Sequence, residues 1–529
     1  MNRRDFLLQA TGVVAVSAAT RVTAQRTPEF DYIVVGAGSA GCVVAARLTD
    51  DPGVRVLLIE AGGPRSSDPA VTTPGRWVTL IGSPFDWGYS SEAEPGAAGR
   101  RIVFPRGKVV GGTSAINAMT YIRGHRADFD GWAAAGNQGW SYADVLPVFK
   151  RVEANSRGAS EHRGGDGPLA VSDCRDPHAG HHAFLAAAAA AGFESRPDWE
   201  FSAPQHENGA GFYQKNIKDG RRHSAADAFL APVSNRANLR IVTGAQATKL
   251  LFTERRVNGL EYIVDGRREP ARAAREVILC GGVIDSPKLL MLSGLGPASQ
   301  LAEHNIPVLV DLPGVGQNLQ DHLKLSVRWN GLTTLPPSTV TAGMFLRSRA
   351  LGGEGGSAPP DLQFYVGRGL DQPDRFVTIT VSLVRPKSRG DVRLASADPL
   401  AAPRIRGNYL SERADVMALL DGVRLAREFA RSTAYTKLRA DEVEPGEGVT
   451  TEAALIEFAR RASDTIYHPA GTCRMGNDRL AVVDSRLRVR GVEGLRIADA
   501  SIMPDVVSAT THAACVMIGA RAAEFARQA

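Results

Sequence analysis

Residues 31–41 read DYIVVGAGSAG, and an acid, Glu60, follows 24 residues after the first glycine. Tyr32–Val35 is a short apolar run of the kind a buried parallel strand uses. Gly36, Gly38 and Gly41 then spell GxGxxG, and residues 39–50 can continue as a helix. Val56–Ile59 is a second apolar run, ending at Glu60. Strand, glycine turn, helix, strand and terminal acid in this register describe a dinucleotide-binding βαβ unit. Gly36 makes the tight turn, Gly38 lets the backbone approach a pyrophosphate, and Gly41 lets the helix lie against the strand. The diphosphate belongs at the helix N-terminus, where unpaired N–H groups and the helix dipole favour an anion. Glu60 is placed to accept hydrogen bonds from the adenosine ribose. The unit does not separate FAD from NAD.

Upstream, residues 1–25 stand outside the fold. Arg3 and Arg4 precede an apolar stretch from Phe6 to about Ala19, and Val22-Thr23-Ala24 closes it with small residues. The pattern resembles a bacterial twin-arginine export signal, cleaved after Ala24, and predicts a periplasmic protein. A spanning anchor fits less well, because the stretch is short of the roughly 20 residues required and contains Gln9, Thr11 and Ser17.

The remaining chain, about 505 of 529 residues, is long enough for two domains. The formal charge of +6, about +4 without Arg3, Arg4, Asp5 and Arg21, is scattered without a basic stripe, which argues against nucleic-acid binding. No later segment is apolar enough for membrane insertion. Five cysteines without CxxC spacing predict buried thiols, with Cys42 and Cys515 in helices and Cys280 at a strand end.

Residues 64–100 read as a long irregular crossover, suited to cover a ligand. Residues 106–124, RGKVVGGTSAINAMTYIRG, are glycine-rich enough for backbone to pass over a planar ring, and Asn117 either contacts that ring or caps a helix starting there. Further on, Asp130–Trp140 reads as loop and Phe184–Gly192 as an alanine-rich helix, with His181 and His182 solvated just before it. Residues 239–242, 247–251 and 257–264 suggest a small sheet. Glu276–Cys280 is a buried strand running into Gly281-Gly282, and 286–292 reads as a helix started by proline. Residues 312–322 are turn-rich and polar. From 325 to 475 the pattern alternates like an antiparallel sheet, interrupted by the glycine-rich linker 351–358, with helices near 411–430 and 452–462. Leu495–Ile497 is a strand ended by Asp499 and Ala500, and 511–527 is a helix, so the nucleotide domain draws on both ends of the chain.

Two histidines stand in segments that look functional: His468 in DTIYHPAGTCRMG and His512 in SATTHAACVMIG. Neither block has metal-ligand spacing, and no metal is expected. An imidazole, with an ordinary pKa of about 6.5, is suited to take a hydroxyl proton near neutral pH.

Six blocks together resemble the glucose–methanol–choline (GMC) oxidoreductase family over residues 30–525. They are VVGAGSAGCVVAARL with IEAG, GKVVGGTSAINAMTYIRG, GGVIDSPKLLMLSGLGP, GVGQNLQDH, YHPAGTCRMG and LRIADASIMPDVVSATTHAACVMIG. The resemblance implies an α/β protein: an FAD-binding domain with a parallel sheet (26–325 and 478–529), and a substrate domain with a mostly antiparallel sheet and helices (326–477). It implies that Gly36, Gly38, Gly41 and Glu60 hold the ADP half, that Ala247 meets the adenine, and that Asp499 and Ala500 meet the diphosphate and ribityl chain. Val110, Gly112, Asn117, Ala118, Met119 and Thr120 would lie beside the flavin. His468 matches the active-site histidine and His512 a second position that members fill with asparagine or histidine. Some members attach the flavin to a histidine immediately before the asparagine of the first signature; here that residue is Ile116, so non-covalent FAD is expected. Val283 stands where a small residue is usual, and ATTHAA replaces the usual GNTNAP, which leaves asparagine-based subfamilies more distant.

The expected reaction is oxidation of an alcohol to a carbonyl by hydride transfer to flavin N5. His468 is the general base, His512 binds the same oxygen, and the two titrate as a unit. Oxygen or a quinone- or cytochrome-type carrier would reoxidise the flavin. A cyanohydrin-type lyase and a non-enzymatic flavin-binding protein are the alternatives. Neither histidine block holds a clustered aromatic cage, and no carboxylate stands beside either histidine in the sequence, which disfavours choline. Tyr467 and the loops 64–100 and 330–370 would shape a pocket for aromatic or medium-chain primary alcohols.

Overall fold

The computed structural model describes residues 29–203, 209–336, 338–349, 358–367 and 374–528. Residues 1–25, expected to be an export signal, and most of the linker 351–358 lie outside the described residues.

Two sheets organise the chain. In the first, the strand order is 239–242, 56–59, 29–35, 267–279, 256–264, 246–253, and Leu495–Ile497 pairs with 267–279. Glu29–Val35 lies parallel to Val56–Ile59 on one side and to Arg267–Leu279 on the other, with Val35 opposite both Ile59 and Leu279. Strands buried on both faces must be apolar throughout, and Tyr32–Val35 and Val56–Ile59 are. Ser39–Leu48 forms the first helix and packs against Thr511–Arg527, so the last helix of the chain covers the first.

Several expectations are revised here. The strands near 239–264 do not make a small separate sheet. Leu239–Val242 extends the parallel sheet beside Val56–Ile59, and the other two form an antiparallel extension from Arg267–Leu279. That last strand has 13 residues because its first half pairs with the extension and its second half with the parallel strands. The following helix begins at Gly282 with Pro287 inside it, rather than at proline. Arg126–Ala134 is helical, so half of the segment read as loop is not. The alanine-rich helix starts earlier, at Ala179, which places His181 in its first turn and fully buried. There His181 Nδ1 accepts from the N–H of His178, closing a capping box that the sequence reading missed.

The second sheet is mostly antiparallel, in the order 439–444, 323–335, 374–383, 362–366, 342–346, 209–212, 194–195. It is therefore not confined to residues 326–477, because Glu194–Ser195 and Gly209–Phe212 close one edge. Gly390–Arg393, expected in this sheet, pairs instead with Gln317–Leu319 and Arg404–Arg406. Arg413–Ala430 and Glu452–Ala462 are helices, as expected, and the first packs on the sheet. Each sheet has its own apolar cluster. Among the described residues no helix is long and apolar enough to cross a membrane.

Candidate active site

A single cavity runs from the carboxyl ends of the parallel strands to the face of the second sheet, and most residues singled out from sequence line it. At one end stands the glycine turn. Gly36 has φ +97°, and a methyl on Gly41 would collide with the Gly36 carbonyl, so strand and helix approach as the motif requires. A methyl on Gly38 would meet nothing within 4 Å, and Gly38 borders the cavity. The helix begins there without a side-chain cap, leaving backbone N–H groups for a diphosphate.

Glu60 is pre-set by its own loop: Oε2 accepts from the N–H of Ala37 (2.8 Å) and Oε1 from Gly62 (2.7 Å). Burial raises its pKa to about 7 despite those two donors. Asp499 is engaged likewise, accepting from the Gly282 N–H (2.9 Å), the Ser286 hydroxyl (2.6 Å) and the Ser501 N–H (2.8 Å). It ties the second glycine turn to the last strand, and Ala500 borders the cavity beside it. Ala247 lines the same end from the start of Gln246–Thr253. A cradle of turns, an open Gly38 and a pre-oriented acid is what the ADP half of FAD needs, and these residues fit it.

Toward the other end, Gly112–Ala115 is a 3-10 turn and Gly112 presses on Gly38, where a Cβ would lie 2.7 Å from the Gly38 Cα. Asn117 caps no helix. Its Oδ1 accepts from the N–H of Met119 (3.0 Å) and from Arg222 (2.9 Å), which holds Met119 at φ +63°. Arg222 also donates to the carbonyls of Asn117, Ser114 and Val71, riveting this loop to the cover segment. Asn117, Ala118, Met119 and Thr120 line the cavity, but Val110 does not. It is buried in the first core, its N–H bonded to the Gly63 carbonyl. Ile116 lines the cavity at the position where a tethering histidine would stand.

His468 and His512 both face this end of the cavity. His468 follows Tyr467, whose φ of +71° is held by Thr465 Oγ1 on its N–H (2.7 Å) and Arg106 on its carbonyl (2.6 Å). Asp321 is the hub behind the imidazole. It accepts from the N–H of His468 (3.0 Å), the hydroxyls of Thr465 (2.5 Å) and Tyr409 (2.6 Å), and the N–H of His322 (2.9 Å). Nδ1 of His468 lies 3.1 Å from Nδ1 of His322. Burial, then His322 and Arg106, push the His468 pKa well below the usual imidazole value. His512 Nδ1 meets the Ser39 hydroxyl at 2.9 Å, and its Nε2 is buried with no partner among the described residues. Burial, then Arg222, lowers its pKa to about 4. The imidazole coupled to His468 is therefore His322, not His512.

Sequence reasoning missed Asp321, His322, Arg106, Arg222 and Ser39. Asp321-His322 sits in a segment read only as polar turn, and Ser39 was hidden inside the glycine motif. Of the aromatic walls, Tyr467 belongs to the His468 block, while Trp77, Tyr213 and Tyr365 come from segments far from either histidine block. Trp77 belongs to the predicted cover and meets Tyr467 edge-on at 6.3 Å.

A dinucleotide cradle that ends at buried neutral imidazoles defines a flavin-dependent oxidoreductase acting on alcohols. Models of the N- and C-terminal domains of GMC oxidoreductases match residues 30–324 and 386–519, and the chain belongs to that family. It is 41% identical to the mitochondrial choline dehydrogenase of Mus musculus, over 94% of this chain and 89% of that one. It is 39% identical to the oxygen-dependent choline dehydrogenase of Brucella anthropi, over 94% and 95%. Among solved structures, pyridoxine 4-oxidase from Mesorbium loti superposes with a TM-score of 0.87 at 33% identity, covering 94% of this chain and 99% of that one. A formate oxidase variant of Aspergillus oryzae, described for its effect on FAD modification, has a TM-score of 0.87 at 26% identity, covering 95% and 98%. The protein is an FAD-binding enzyme that oxidises CH–OH donors.

Proposed function

We propose that His468 is the general base of this oxidation, and the observation that carries the reading is its place on the cavity wall, with its backbone N–H held by Asp321 and its Nδ1 against His322. With Nδ1 directed at His322, Nε2 is the ring nitrogen left for a hydroxyl in the cavity. Burial favours the neutral imidazole, so its lone pair is available at neutral pH. FAD, when bound, supplies the two-electron acceptor for the hydride of the α-carbon. The unpaired Nε2 of His512 donates to the same oxygen while its Nδ1 accepts from the Ser39 hydroxyl. Buried walls exclude water, so the developing charge meets fixed dipoles.

The substrate in this reading carries no cationic head. Choline is the substrate named for two of the relatives, and the aromatic walls alone would suit it. Yet Lys215 and Lys324 line the same cavity, and among the described residues the carboxylates lining it are Glu60, Asp285 and Asp499, near the nucleotide end. FAD is non-covalent, since Ile116 offers no nucleophile. The acceptor is oxygen or a quinone- or cytochrome-type carrier, and Arg3-Arg4 directs the protein to the periplasm.

Anaerobic mixing with benzyl alcohols, aliphatic alcohols, sugars and choline tests the reading through bleaching of the flavin absorbance. Bleaching by neutral alcohols is expected. A flavin that no alcohol reduces would point to a lyase or a flavin-binding protein, and a clear preference for choline or a sugar would overturn the substrate assignment.

A further inference from the structure

Lys215 is a buried residue of this cavity that the reaction does not use. It is 2% exposed and lines the chamber together with Tyr213, Thr341 and Tyr365. Its backbone is fixed on both sides: the N–H and carbonyl exchange hydrogen bonds with Ser172 at 2.9 Å, and the next N–H reaches the Met119 carbonyl at 2.8 Å. The stem is thus anchored against the loop predicted to lie beside the flavin. Among the described residues no carboxylate pairs with its ammonium. Its titratable neighbours are Arg222, the Cys174 thiol and the buried His181 ring. Lys324, by contrast, has an acid, Asp464, at 3.5 Å.

A desolvated ammonium without a counter-charge is costly, and a chain keeps one where a ligand supplies the charge. We infer that Lys215 is the receptor for a carboxylate on the alcohol substrate, so that the enzyme oxidises hydroxy acids whose CH–OH group faces His468 while the carboxylate faces Lys215. The inference rests on the oxidation reading above and names its substrate class. The chemistry balances as before: the carbinol carbon gives up a hydride and the hydroxyl a proton, and the carboxylate passes through unchanged. An ammonium that shares the chamber wall with the Tyr213, Thr341 and Tyr365 hydroxyls suits a carboxylate. It repels a quaternary ammonium, which separates this chamber from one built for choline.

The test uses the FAD-loaded enzyme and two readouts. Benzoate binding, followed by perturbation of the flavin absorbance, reports the anion site without turnover. The ratio of kcat/KM for 4-(hydroxymethyl)benzoate over that for benzyl alcohol reports it during turnover. In Lys215→Met, benzoate affinity and that ratio should each fall about 30-fold or more, the size expected when one partner of a buried charge pair is removed. Lys215→Arg, which keeps the charge, should lose less. Equal benzoate affinity in the parent and Lys215→Met overturns the inference, as does a parent enzyme that prefers benzyl alcohol to its carboxylated analogue. If no alcohol reduces the flavin while benzoate binding still depends on Lys215, the oxidation reading fails and the anion site stands. Should Lys215→Met not fold, the parent's preference and Lys215→Arg decide.

Discussion

His468 and His322 face each other through their Nδ1 atoms at 3.1 Å, across 146 residues of sequence. Two bare lone pairs would repel at that distance, so one ring carries the shared proton. A base acting through Nε2 of His468 needs that proton on its own Nδ1, with His322 accepting. His322 is fully buried, its pKa pulled to about 3 mainly by desolvation, and it stays neutral as an acceptor must. Its backbone N–H donates to Asp321, as does that of His468, so a single carboxylate fixes the backbone that carries each ring.

His468→Ala should reduce turnover roughly 100- to 10,000-fold, the usual value of a well-placed general base, while FAD stays bound. His512→Asn keeps a hydrogen-bonding group and should lose less. Stopped-flow flavin reduction across pH, with flavin content measured for each variant, decides the ranking. Near-parental reduction by a fully loaded His468→Ala enzyme would remove the base assignment, and equal losses would mean that the two histidines share the work.

His322→Phe removes the acceptor without touching the cavity wall. Because His322 is one of the influences lowering the His468 pKa, its loss should move the acid limb of the rate profile upward, toward 6.5. Turnover at neutral pH should fall by about 10-fold or more. A profile that keeps its parental acid limb would show that His322 only packs.

Acid precipitation of the purified yellow protein should leave the flavin in the supernatant. The position at which some family members tether it is Ile116 here, and that side chain is apolar. Flavin remaining on the polypeptide after precipitation would refute non-covalent binding.

Acid should cost stability through the buried imidazoles, and His181 isolates the effect. Its pKa falls from about 6.5 unfolded to about 3 folded, with burial the main cause. The unfolded chain therefore binds the extra proton first, and the contribution present above pH 6.5 is lost as pH falls. Between pH 7 and 5 this amounts to about 2 kcal/mol. Glu60 and Asp321, with raised pKa values, act in the opposite direction over part of that window, but they do so equally in a variant. His181→Gln keeps a polar group at the third position of its helix and cannot titrate. Chemical denaturation at the two pH values should show a correspondingly flatter dependence, and an unchanged slope would contradict the buried, neutral His181.

Replacing Arg3-Arg4 by two lysines should leave folded, flavin-loaded enzyme in the cytoplasm. Cell fractionation measures this directly, and undiminished periplasmic enzyme would exclude the twin-arginine route.

The glycine motif, Glu60, the last strand and the last helix were legible in the sequence for a physical reason. Each answers a local demand: a positive φ at Gly36, a close approach at Gly41, apolar runs for strands buried on both faces. Such demands are met by residue type at a fixed spacing, and a linear reading sees them. His468 and His512 were also visible, because the blocks around them resemble a family. What no spacing reports is partnership across the chain. The His322–His468 contact exists because Leu323–Leu335 pairs with Asp464-Thr465, and that sheet pairing carries two distant segments to one carboxylate. Val110 turned to the core, His181 was buried by the helix beginning at Ala179, and Lys215 was brought to the chamber by its bridge to Thr120. Backbone conformation follows from nearest neighbours, so the sequence alone determined the cradle. Desolvation, pairing and charge depend on everything packed around a group, and only the tertiary structure decided which imidazole is tied to which and which cation stands alone.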